Sequence, residues 1–528
     1  MKLLKHTLVL VFCLLQIIGR GQNTFDNYYN TGYHNNKSSN VITEPDSGCV
    51  FVNYVIDSVT QRWDMGLLRL DKNGNEVIKN SFNMFNESFY SYVSGMKNFI
   101  EATPSSYFLS GGYFVGNQQG FIITKFNKNT LDTIKTKIFS DNYSYGINCF
   151  IKFNNNKYFF IGNKWIGNNG SPVIFHLDSN LNIIQTITVA SGNDFTIWDA
   201  VYNPVTKRIL LSGGTASGQY LSTFMHLDTL GNIKQIAYGP SYLTRSILQV
   251  YYRALDTSYI AVGYYKTGTF SNISLTKLCI GKLDVNLHFK WEKTYGSAMP
   301  GNGLMDAVLL DDGSIVVSGA YSQLTSAPLG NANFNGVILK VNKYGQFQWA
   351  REYDHLPPGN LSKIEQFYGI DKTLDKGFIL CGNIIAPPSN KSQAWAVKTD
   401  SMGCVTPGCA STIMQVDSIV YPPPPPPPPI DTTIITVGIK EIIFEKNNLR
   451  IYPNPVSQVL KIAIANFNTA EKNTYHLEII NTLGQSVLKS KALSFLSEMD
   501  VSALQNGIYF LQVFNQNKLL VTEKFVKE

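Results

Sequence analysis

Along most of the chain, short apolar runs that often end at Gly are separated by turns that begin at Asp or Asn. Runs of this kind cover, for example, residues 107–112, 158–162 and 315–319. A short apolar run of roughly four to eight residues between turn residues is typical of a buried β-strand, whereas an amphipathic helix repeats about every 3.6 residues. Helical periodicity does not interrupt these runs over any useful length, so the pattern predicts an all-β protein.

One unit recurs seven times within residues 22–413. Each copy has a basic residue or His, then in most copies an apolar residue, then Asp or Asn that opens a turn. The copies are Arg69-Leu70-Asp71, Lys125-Phe126-Asn127, His176-Leu177-Asp178, His226-Leu227-Asp228, Lys282-Leu283-Asp284, Lys340-Val341-Asn342 and Lys398-Thr399-Asp400. Successive Asp or Asn positions are 56, 51, 50, 56, 58 and 58 residues apart.

A small antiparallel sheet in each unit explains this period. A unit has room for about four short strands, and such a sheet buries both of its faces only when neighbours stack radially against it. We therefore predict a seven-bladed β-propeller over residues 22–413. The copies resemble the degenerate propeller repeats of secreted Bacteroidota proteins.

The last copy lacks one strand. Two earlier copies continue into a strand with Trp and Tyr four residues apart, at 291–295 and 349–353, whereas a turn containing Cys404 and Cys409 follows Asp400. The opening stretch Phe25–Tyr29 is the candidate for the missing outer strand. We expect it to pair with the last blade and to join the two ends of the ring.

Residues 1–21 have the pattern of a secretory signal peptide. Lys2 and Lys5 precede an apolar run over 8–18, and Gly19 to Gly21 precede Gln22, the expected new N-terminus. The run is too short for a bilayer span, although an uncleaved anchor is the alternative. We expect no transmembrane segment in the mature chain.

Charge excludes one class of partner. The net charge of +7 includes Lys2, Lys5 and Arg20 of the signal peptide, which leaves about +4 on a mature chain of some 500 residues. That is too little for an electrostatic footprint on nucleic acid, so we expect no nucleic-acid partner.

Six cysteines remain after the signal peptide, too few for a disulfide scaffold. Cys404 and Cys409 flank a turn with Pro407 and Gly408, and we predict a disulfide between them. The pairing of the other four stays open, and we expect buried apolar positions for them: Cys49, Cys149, Cys279 and Cys381. No His or second Cys pair completes a zinc ligand set.

The repeats themselves offer two candidate sites. Residues 71–76 have the alternating oxygen side chains of a calcium loop, but no Glu stands at loop position 12, and an Asx turn explains them better. The basic or His residues that open the seven motifs predict a belt of charge for acidic glycans or phosphates. The alternative, which we favour, is that these long side chains cover aromatic faces between blades.

Nothing in the sequence marks an active site. Nucleophile elbows, His-Glu-x-x-His pairs, glycine-rich phosphate loops and Cys-x-x-Cys pairs are all missing. We therefore name no catalytic, cofactor-binding or metal-binding residue and expect no cofactor. A propeller can still form a hydrolase site from residues that are distant in sequence, so a secreted hydrolase at the central channel is the alternative function.

A proline-rich linker follows the repeats, over residues 414–437. Pro422 to Pro429 form an uninterrupted run, which as polyproline II spans roughly 25 Å as a stiff spacer. A docking site for proline-binding modules is the other interpretation.

The tail, residues 438–528, alternates with period two and predicts a small immunoglobulin-like β-sandwich. Strands are predicted at 449–452, 459–464, 475–480, 486–489, 508–514 and 519–526. Pro453 and Pro455 break the first strand from its loop, and Gly484 and Gly507 are expected to permit tight turns.

Four tail motifs carry a specific resemblance. They are Ile451-Tyr452-Pro453-Asn454-Pro455, Ile480-Asn481-Thr482-Leu483-Gly484-Gln485, Leu504-Gln505-Asn506-Gly507-Ile508-Tyr509 and Lys524-Phe525-Val526-Lys527. In this order the tail resembles the type A C-terminal sorting domain of the type IX secretion system. The resemblance implies the secretion machinery as partner, export through the periplasm, and release or attachment at the outer-membrane surface.

Binding is the function that we predict for the propeller. Aromatic pairs such as Tyr113-Phe114 and Tyr264-Tyr265 suit stacking on sugars, and no copy stands out by its acid, base or metal-ligating residues. We expect a non-catalytic surface or secreted protein that holds a glycan or a protein ligand.

Overall fold

The computed structural model contains only β-strands as regular structure in the residues that it describes. These are residues 22–29, 35–56, 63–82, 97–115, 118–139, 144–154, 157–166, 169–189, 195–215, 223–238, 245–270, 273–322, 334–354, 364–386, 391–419, 449–464, 475–491, 496–515 and 518–528. The signal peptide and the proline run lie outside them. The chain forms two compact units, Met1–Pro422 and Pro423–Glu528. The predicted all-β class is confirmed.

The described residues of the first unit form seven antiparallel sheets, numbered 1 to 7 along the chain, with consecutive strands side by side. Sheets 1 to 3 are β2 (Asn35–Thr43), β3 (Cys49–Ile56), β4 (Trp63–Leu70) and β5 (Glu76–Phe82); β6 (Phe99–Thr103), β7 (Ser106–Val115), β8 (Gln118–Asn127) and β9 (Thr133–Phe139); β10 (Ser144–Asn154), β11 (Lys157–Ile166), β12 (Asn169–Asp178) and β13 (Ile183–Thr188).

The later sheets repeat this order. Sheets 4 to 6 are β14 (Phe195–Asn203), β15 (Arg208–Thr215), β16 (Thr223–Asp228) and β17 (Ile233–Tyr238); β18 (Arg245–Arg253), β19 (Ser258–Phe270), β20 (Ile273–Leu283) and β21 (Phe289–Pro300); β22 (Gly303–Leu309), β23 (Ile315–Tyr321), β24 (Asn335–Val341) and β25 (Phe347–Tyr353). Sheet 7 is β26 (Ile364–Lys372), β27 (Phe378–Ala386), β28 (Lys391–Thr399) and the N-terminal β1 (Phe25–Tyr29).

Every junction between successive sheets has its own hydrophobic core, and sheet 7 also packs against sheet 1. At the closing junction, Phe25 and Tyr29 of β1 pack with Phe51, Leu70 and Ile379. Burial between sheets thus replaces the single core of a compact domain, because no sheet covers its own faces.

The predicted closure by Phe25–Tyr29 is confirmed. β1 is antiparallel to β28, with Phe25 opposite Lys398 and Tyr29 opposite Ala394. The Phe25 ring lies over Gly74 of sheet 1, where an added Cβ would meet it at 2.8 Å. The Tyr29 hydroxyl donates to the Gly74 carbonyl oxygen at 2.8 Å.

The same lock recurs between sheets 5 and 6. Trp291 lies against Gly345 of the next sheet, 2.7 Å from an added Cβ, and the Tyr295 hydroxyl donates to the Gly345 carbonyl oxygen at 2.8 Å. Trp349, Tyr353 and Gly403 repeat it between sheets 6 and 7. The aromatic pair spaced by four residues is therefore a device that joins neighbouring sheets.

In three other sheets the equivalent turn carries Leu in place of the Gly at positions 74, 345 and 403. Leu131, Leu181 and Leu287 have positive φ angles of 58°, 63° and 63° and are buried. At the first of these junctions the Asn80 amide donates to the Leu131 carbonyl oxygen at 2.8 Å. Burial of Leu and a polar side chain from the preceding sheet replace the aromatic lock and offset the cost of the left-handed backbone.

After sheet 7 the chain turns at the Cys404–Cys409 disulfide and continues along the outer edge of sheets 6 and 5. The Thr412 amide donates to the Ala350 carbonyl oxygen, Met414 is buried, and β29 (Val416–Ser418) pairs with β21 as a fifth strand. The segment that follows the disulfide thus contacts sheets 6 and 5 as far as Ile419.

The second unit has two antiparallel sheets around one core. They consist of β30 (Leu449–Tyr452), β31 (Val459–Ile464) and β34 (Leu496–Asp500), and of β33 (Ser486–Lys491), β32 (Tyr475–Asn481), β35 (Gly507–Asn515) and β36 (Lys518–Lys527). Side chains of both sheets, including Leu460, Leu477 and Leu511, form the core. β34 was not predicted from the sequence, because the polar residues Ser497 and Glu498 interrupt its apolar pattern.

Candidate functional site

The first strands of sheets 3 to 7 share a one-residue bulge at the same register. The glycine opposite each bulge is sterically required where its surroundings are described. An added Cβ at Gly213, Gly319 or Gly382 would lie 2.1, 2.1 or 1.9 Å from a first-strand carbonyl oxygen. The glycine that ends the second strand in the sequence pattern is therefore a mark of the bulge.

The bulges place polar side chains on the first strands, and these side chains reach the next sheet. Asp199 of sheet 4 accepts the backbone N–H of Val250 in sheet 5 at 2.8 Å. Asp306 of sheet 6 accepts the N–H of Ile370 in sheet 7 at 2.9 Å. Each carboxylate thus accepts a backbone N–H from the first strand of the next sheet.

Lys97 connects three sheets. It lies just before β6 of sheet 2, and its Nζ is 2.6 Å from the Asp199 carboxylate and 2.6 Å from the Val250 carbonyl oxygen. The same Nζ lies 4.3 Å from the centre of the Tyr251 ring. The lysine side chain thus joins first strands that are 102 and 153 residues away in sequence.

Tyr251 and Asp306 form the second half of this cluster. The Tyr251 hydroxyl donates to Asp306 Oδ1 at 2.5 Å and accepts the Ala307 N–H at 2.9 Å. Lys97, Asp199, Tyr251 and Asp306 together are called the first-strand cluster below. It contains one cation, two carboxyl groups and one phenol.

Burial sets the electrostatics of the first-strand cluster. It raises the pKa of Asp306 to about 7 and raises the pKa of Asp199, where Lys97 opposes the effect. Burial, and then the neighbouring Asp306 carboxylate, hold the pKa of Tyr251 well above its usual range. The phenol is therefore kept protonated as a hydrogen-bond donor.

A shallow, open cavity of about 360 Å³ lies beside this cluster, along the first strands of sheets 3 to 6. It is lined by Lys97, Phe150, Ile151, Ala200, Val201, Tyr251, Tyr252 and Leu309. Rings and aliphatic groups dominate the wall, and the polar atoms of Lys97 and Tyr251 already have partners. The cavity suits a group that is mainly apolar.

The predicted belt of basic residues is engaged in structural contacts. Arg69 pairs with Glu44 at 2.6 Å, Lys282 with Asp256 at 2.5 Å, and Lys398 with Asp375 at 2.5 Å. His226 lies 3.1 Å from the Tyr259 hydroxyl, and burial lowers its pKa to about 4, so that it is neutral at pH 7. These four side chains therefore fix turns and junctions between sheets.

The candidate calcium loop is an Asx turn. Asp71 Oδ1 accepts the N–H groups of Asn73 and Asn75 at 2.8 and 2.9 Å, and Oδ2 accepts the Asn75 side-chain amide at 2.8 Å. The carboxylate oxygens are already used by the turn. Across the described ranges, no group of three His, Cys, Asp or Glu residues is arranged to hold a metal ion.

The cysteines fall into two groups. Cys404 and Cys409 form the disulfide that ends the ring of sheets. Four further cysteines lie buried in the sheets: Cys49, Cys149, Cys279 and Cys381. The Cys279 thiol donates to a Glu292 carboxylate oxygen at 3.3 Å.

The structure brings the first and last motifs of the tail together. Asn454 Oδ1 accepts the Val526 N–H at 2.9 Å, and its amide donates to the Lys524 carbonyl oxygen at 3.2 Å. Val456 then pairs with the backbone of Val526 at 2.8 Å. The loop with Pro453 and Pro455 is thus fastened along the final strand, with Tyr452 half-exposed beside it.

The two tail glycines differ. Gly484 has a φ of +78° and closes the turn that Asn481 opens, as expected. Gly507 begins β35 opposite Lys527, and an added Cβ there would meet the Tyr509 ring at an ordinary 3.8 Å. The expected tight turn at Gly507 is wrong. Tyr509 is the core residue of this motif, and its hydroxyl donates to the Gln505 carbonyl oxygen at 2.9 Å.

The aromatic pairs that the sequence analysis selected lie elsewhere. Tyr264 and Tyr265 are on the second strand of sheet 5 and are half-buried, whereas the side chains of Tyr113 and Phe114 lie outside the described residues. The rings beside the cavity are Tyr251 and Tyr252 on the first strand. The adjacent pair of tyrosines before Arg253 was the available signal for them.

A comparison with protein families identifies the tail. The family described as the secretion system C-terminal sorting domain matches residues 450–528. None of the curated proteins matches the chain. Among the described residues, no helix is long and apolar enough to cross a membrane.

Similar solved structures are distant. PorZ, a surface component of the type IX secretion system of Porphyromonas gingivalis, is 10% identical with a TM-score of 0.31, over 93% of this chain and 70% of its own. The α-L-arabinofuranosidase Arb93A of Fusarium graminearum is 10% identical with a TM-score of 0.39, over 72% and 98%. Polysaccharide lyase Uly1 is 7% identical with a TM-score of 0.42, over 73% and 93%. Scores this low carry no argument about activity.

The family match covers the same residues as the tail motifs and the hydrogen bonds between the first and the last of them. Residues 450–528 are a secretion system C-terminal sorting domain, and the protein is exported to the medium or to the cell surface.

Proposed function

We propose that the seven sheets are the blades of one β-propeller over residues 22–419, with the first strands around its axis. The core at every junction, the strand β1 in sheet 7, and the reach of Lys97 from sheet 2 to sheets 4 and 5 support this arrangement. In the same proposal, residues 1–21 are a signal peptide, a proline-rich linker follows residue 419, and the tail is an immunoglobulin-like sandwich that the type IX secretion machinery recognises.

The function that this arrangement supports best is binding of an extracellular ligand in the cavity beside the first-strand cluster, without a catalytic step. One observation carries it: both carboxyl groups of the cluster are committed to the scaffold. Asp199 holds the Val250 N–H and Lys97, and Asp306 holds the Ile370 N–H and the Tyr251 hydroxyl. These contacts use both oxygens of Asp306 and Oδ2 of Asp199.

The raised pKa of Tyr251 also favours binding without a catalytic step. A nucleophilic Tyr needs a lowered pKa, whereas burial and Asp306 raise that of Tyr251. The cluster therefore behaves as a brace between sheets 2, 4, 5 and 6, and the cavity above it is a preformed binding site.

A secreted hydrolase is the second candidate, because two carboxyl groups lie near one cavity and Asp306 has a pKa of about 7. A carboxyl group with that pKa is suited to donate a proton at neutral pH. This proposal needs Asp306 to exchange its scaffold partners for a substrate during the reaction.

One screen separates the two candidates. The full chain is exposed to glycans, polysaccharides and peptides, with detection of both retained ligand and released product. Binding without product supports the first proposal. Product that disappears in Asp306→Asn but persists in the control Asp311→Asn, an exposed carboxyl group on the same sheet, overturns it in favour of the hydrolase.

A further inference from the structure

The cavity wall restricts the chemistry of its ligand. Phe150 and Ala200 are almost fully buried behind it, and Val201, Tyr252 and Leu309 are partly exposed on it. The Lys97 ammonium already contacts Asp199 and the Val250 carbonyl oxygen. A neutral sugar would find rings here but few open hydrogen-bonding groups, and its hydroxyls would lose their water partners.

Exposed apolar side chains lie in the turns that follow two strands of the cavity wall. Val205 follows the first strand of sheet 4 in its turn, and Leu255 follows the first strand of sheet 5; each is 65% exposed. Large apolar side chains at such exposure, in turns that follow strands of the cavity wall, are typical of a surface that contacts another macromolecule.

Positive charge surrounds the same end of sheets 3 and 4. Lys152, Lys157 and Lys207 are exposed, and within the described ranges none of them has a carboxylate partner. On sheet 6 the turn after Leu309 carries Asp311 and Asp312 instead. The rim is therefore polarised, with its cationic side over sheets 3 and 4.

We propose that this surface binds an acidic peptide segment of another extracellular protein. The segment inserts one aromatic or aliphatic side chain into the cavity, contacts Val205 and Leu255, and places its carboxylates over Lys152, Lys157 and Lys207. Complementarity to the three exposed lysines selects an acidic partner, and the apolar wall selects a side chain rather than a sugar ring. This inference rests on the proposed binding function and gives the ligand class for that site.

A display library of short random peptides, panned on the full chain, tests the proposal. We expect enrichment of sequences that combine Asp or Glu with Phe, Trp, Leu or Ile. Reversing the rim charge in the triple variant Lys152→Glu, Lys157→Glu, Lys207→Glu should weaken the enriched peptides by about tenfold or more and reduce their salt dependence. Lys72→Glu, an exposed lysine in the sheet 1 turn, is the matched control and should leave binding unchanged.

The apolar part is tested separately by Tyr252→Ala, which should weaken the same peptides while circular dichroism shows an unchanged fold. Enrichment of basic or uncharged peptides, no enrichment, or binding that the triple variant leaves intact overturns the acidic-peptide inference. If a neutral glycan binds instead and Tyr252→Ala weakens it, the cavity remains the binding site and only the ligand class is wrong. If no peptide and no glycan binds, both proposals are wrong.

Discussion

Replacing Phe25 by Ala tests how strongly the N-terminal strand closes the ring of sheets. Phe25 is 7% exposed and packs in the core that joins sheets 7 and 1, with its ring over Gly74. Truncating a buried Phe to Ala costs about 3–5 kcal/mol, from lost burial and the cavity that remains. β1 has only five residues, and its second core side chain, Tyr29, stays in place, so we expect the middle of that range.

The assay is denaturant unfolding combined with amide hydrogen exchange. Phe25→Ala should lower the free energy of unfolding by about 4 kcal/mol, and the β28 amides that pair with β1, around Ala396, should exchange faster. Val77→Ala, a 56% exposed side chain on the outer strand of sheet 1, is the control and should change stability by less than about 0.5 kcal/mol. A loss below about 1 kcal/mol for Phe25→Ala, with unchanged exchange at β28, would refute closure by β1.

Three further predictions follow from the junctions, the cluster and the tail. Tyr295→Phe should lower the free energy of unfolding by about 1 kcal/mol, since the Gly345 carbonyl oxygen loses its hydrogen-bond donor. Tyr344→Phe, at an exposed turn, is the control and should change it by almost nothing. Equal losses would contradict a stabilising role for this hydrogen bond between sheets 5 and 6. The pKa of Asp306 is raised from 3.8 to about 7 in the folded protein, so its contribution to the free energy of unfolding is present below pH 4 and is lost as pH rises through 7, by up to roughly 4 kcal/mol. Asp306→Asn should flatten this part of the plot of stability against pH. An unchanged plot would contradict the prediction. Deleting residues 438–528 should retain the protein in the periplasm with the sheets folded, as fractionation and limited proteolysis would show, and unchanged surface or medium levels would contradict sorting by the tail.

The repeat made much of the fold predictable. The six motifs that end at Asp71 through Asn342 each open the turn between the third and fourth strands of a sheet, and the seventh, at Asp400, opens the turn that follows β28. Phe25 and Tyr29 could be recognised as the missing outer strand because they have the same spacing as Trp291 and Tyr295. Local turn chemistry and side-chain spacing are sufficient for such features, since both depend on neighbours in sequence.

The first-strand cluster was not predictable in the same way. Lys97 and Asp199 are 102 residues apart, and each lies in an ordinary strand pattern, so only the closed ring places them 2.6 Å apart. The bulge that directs Asp306 towards sheet 7 arises from backbone pairing rather than from a motif. The glycine opposite it, Gly319, was visible in the sequence, but it read as the end of a strand.

The tail shows the reverse case. Asn454 and Val526 are separated by 72 residues, and the family resemblance, not spacing, indicated that their motifs act together. Gly507 shows the limit of predicting a turn from a glycine alone, because this glycine begins a strand without a left-handed backbone.

Filling the cavity tests the central claim, that the first strands form the binding site. Leu309→Trp places a large ring into the cavity wall, and Val77→Trp places the same ring on the far, outer strand of sheet 1. Both variants are titrated with the ligand that the screens recover, after unfolding curves have shown that both are folded. We predict that Leu309→Trp weakens binding by about tenfold or more while Val77→Trp binds like the wild type; wild-type affinity in folded Leu309→Trp would contradict the account.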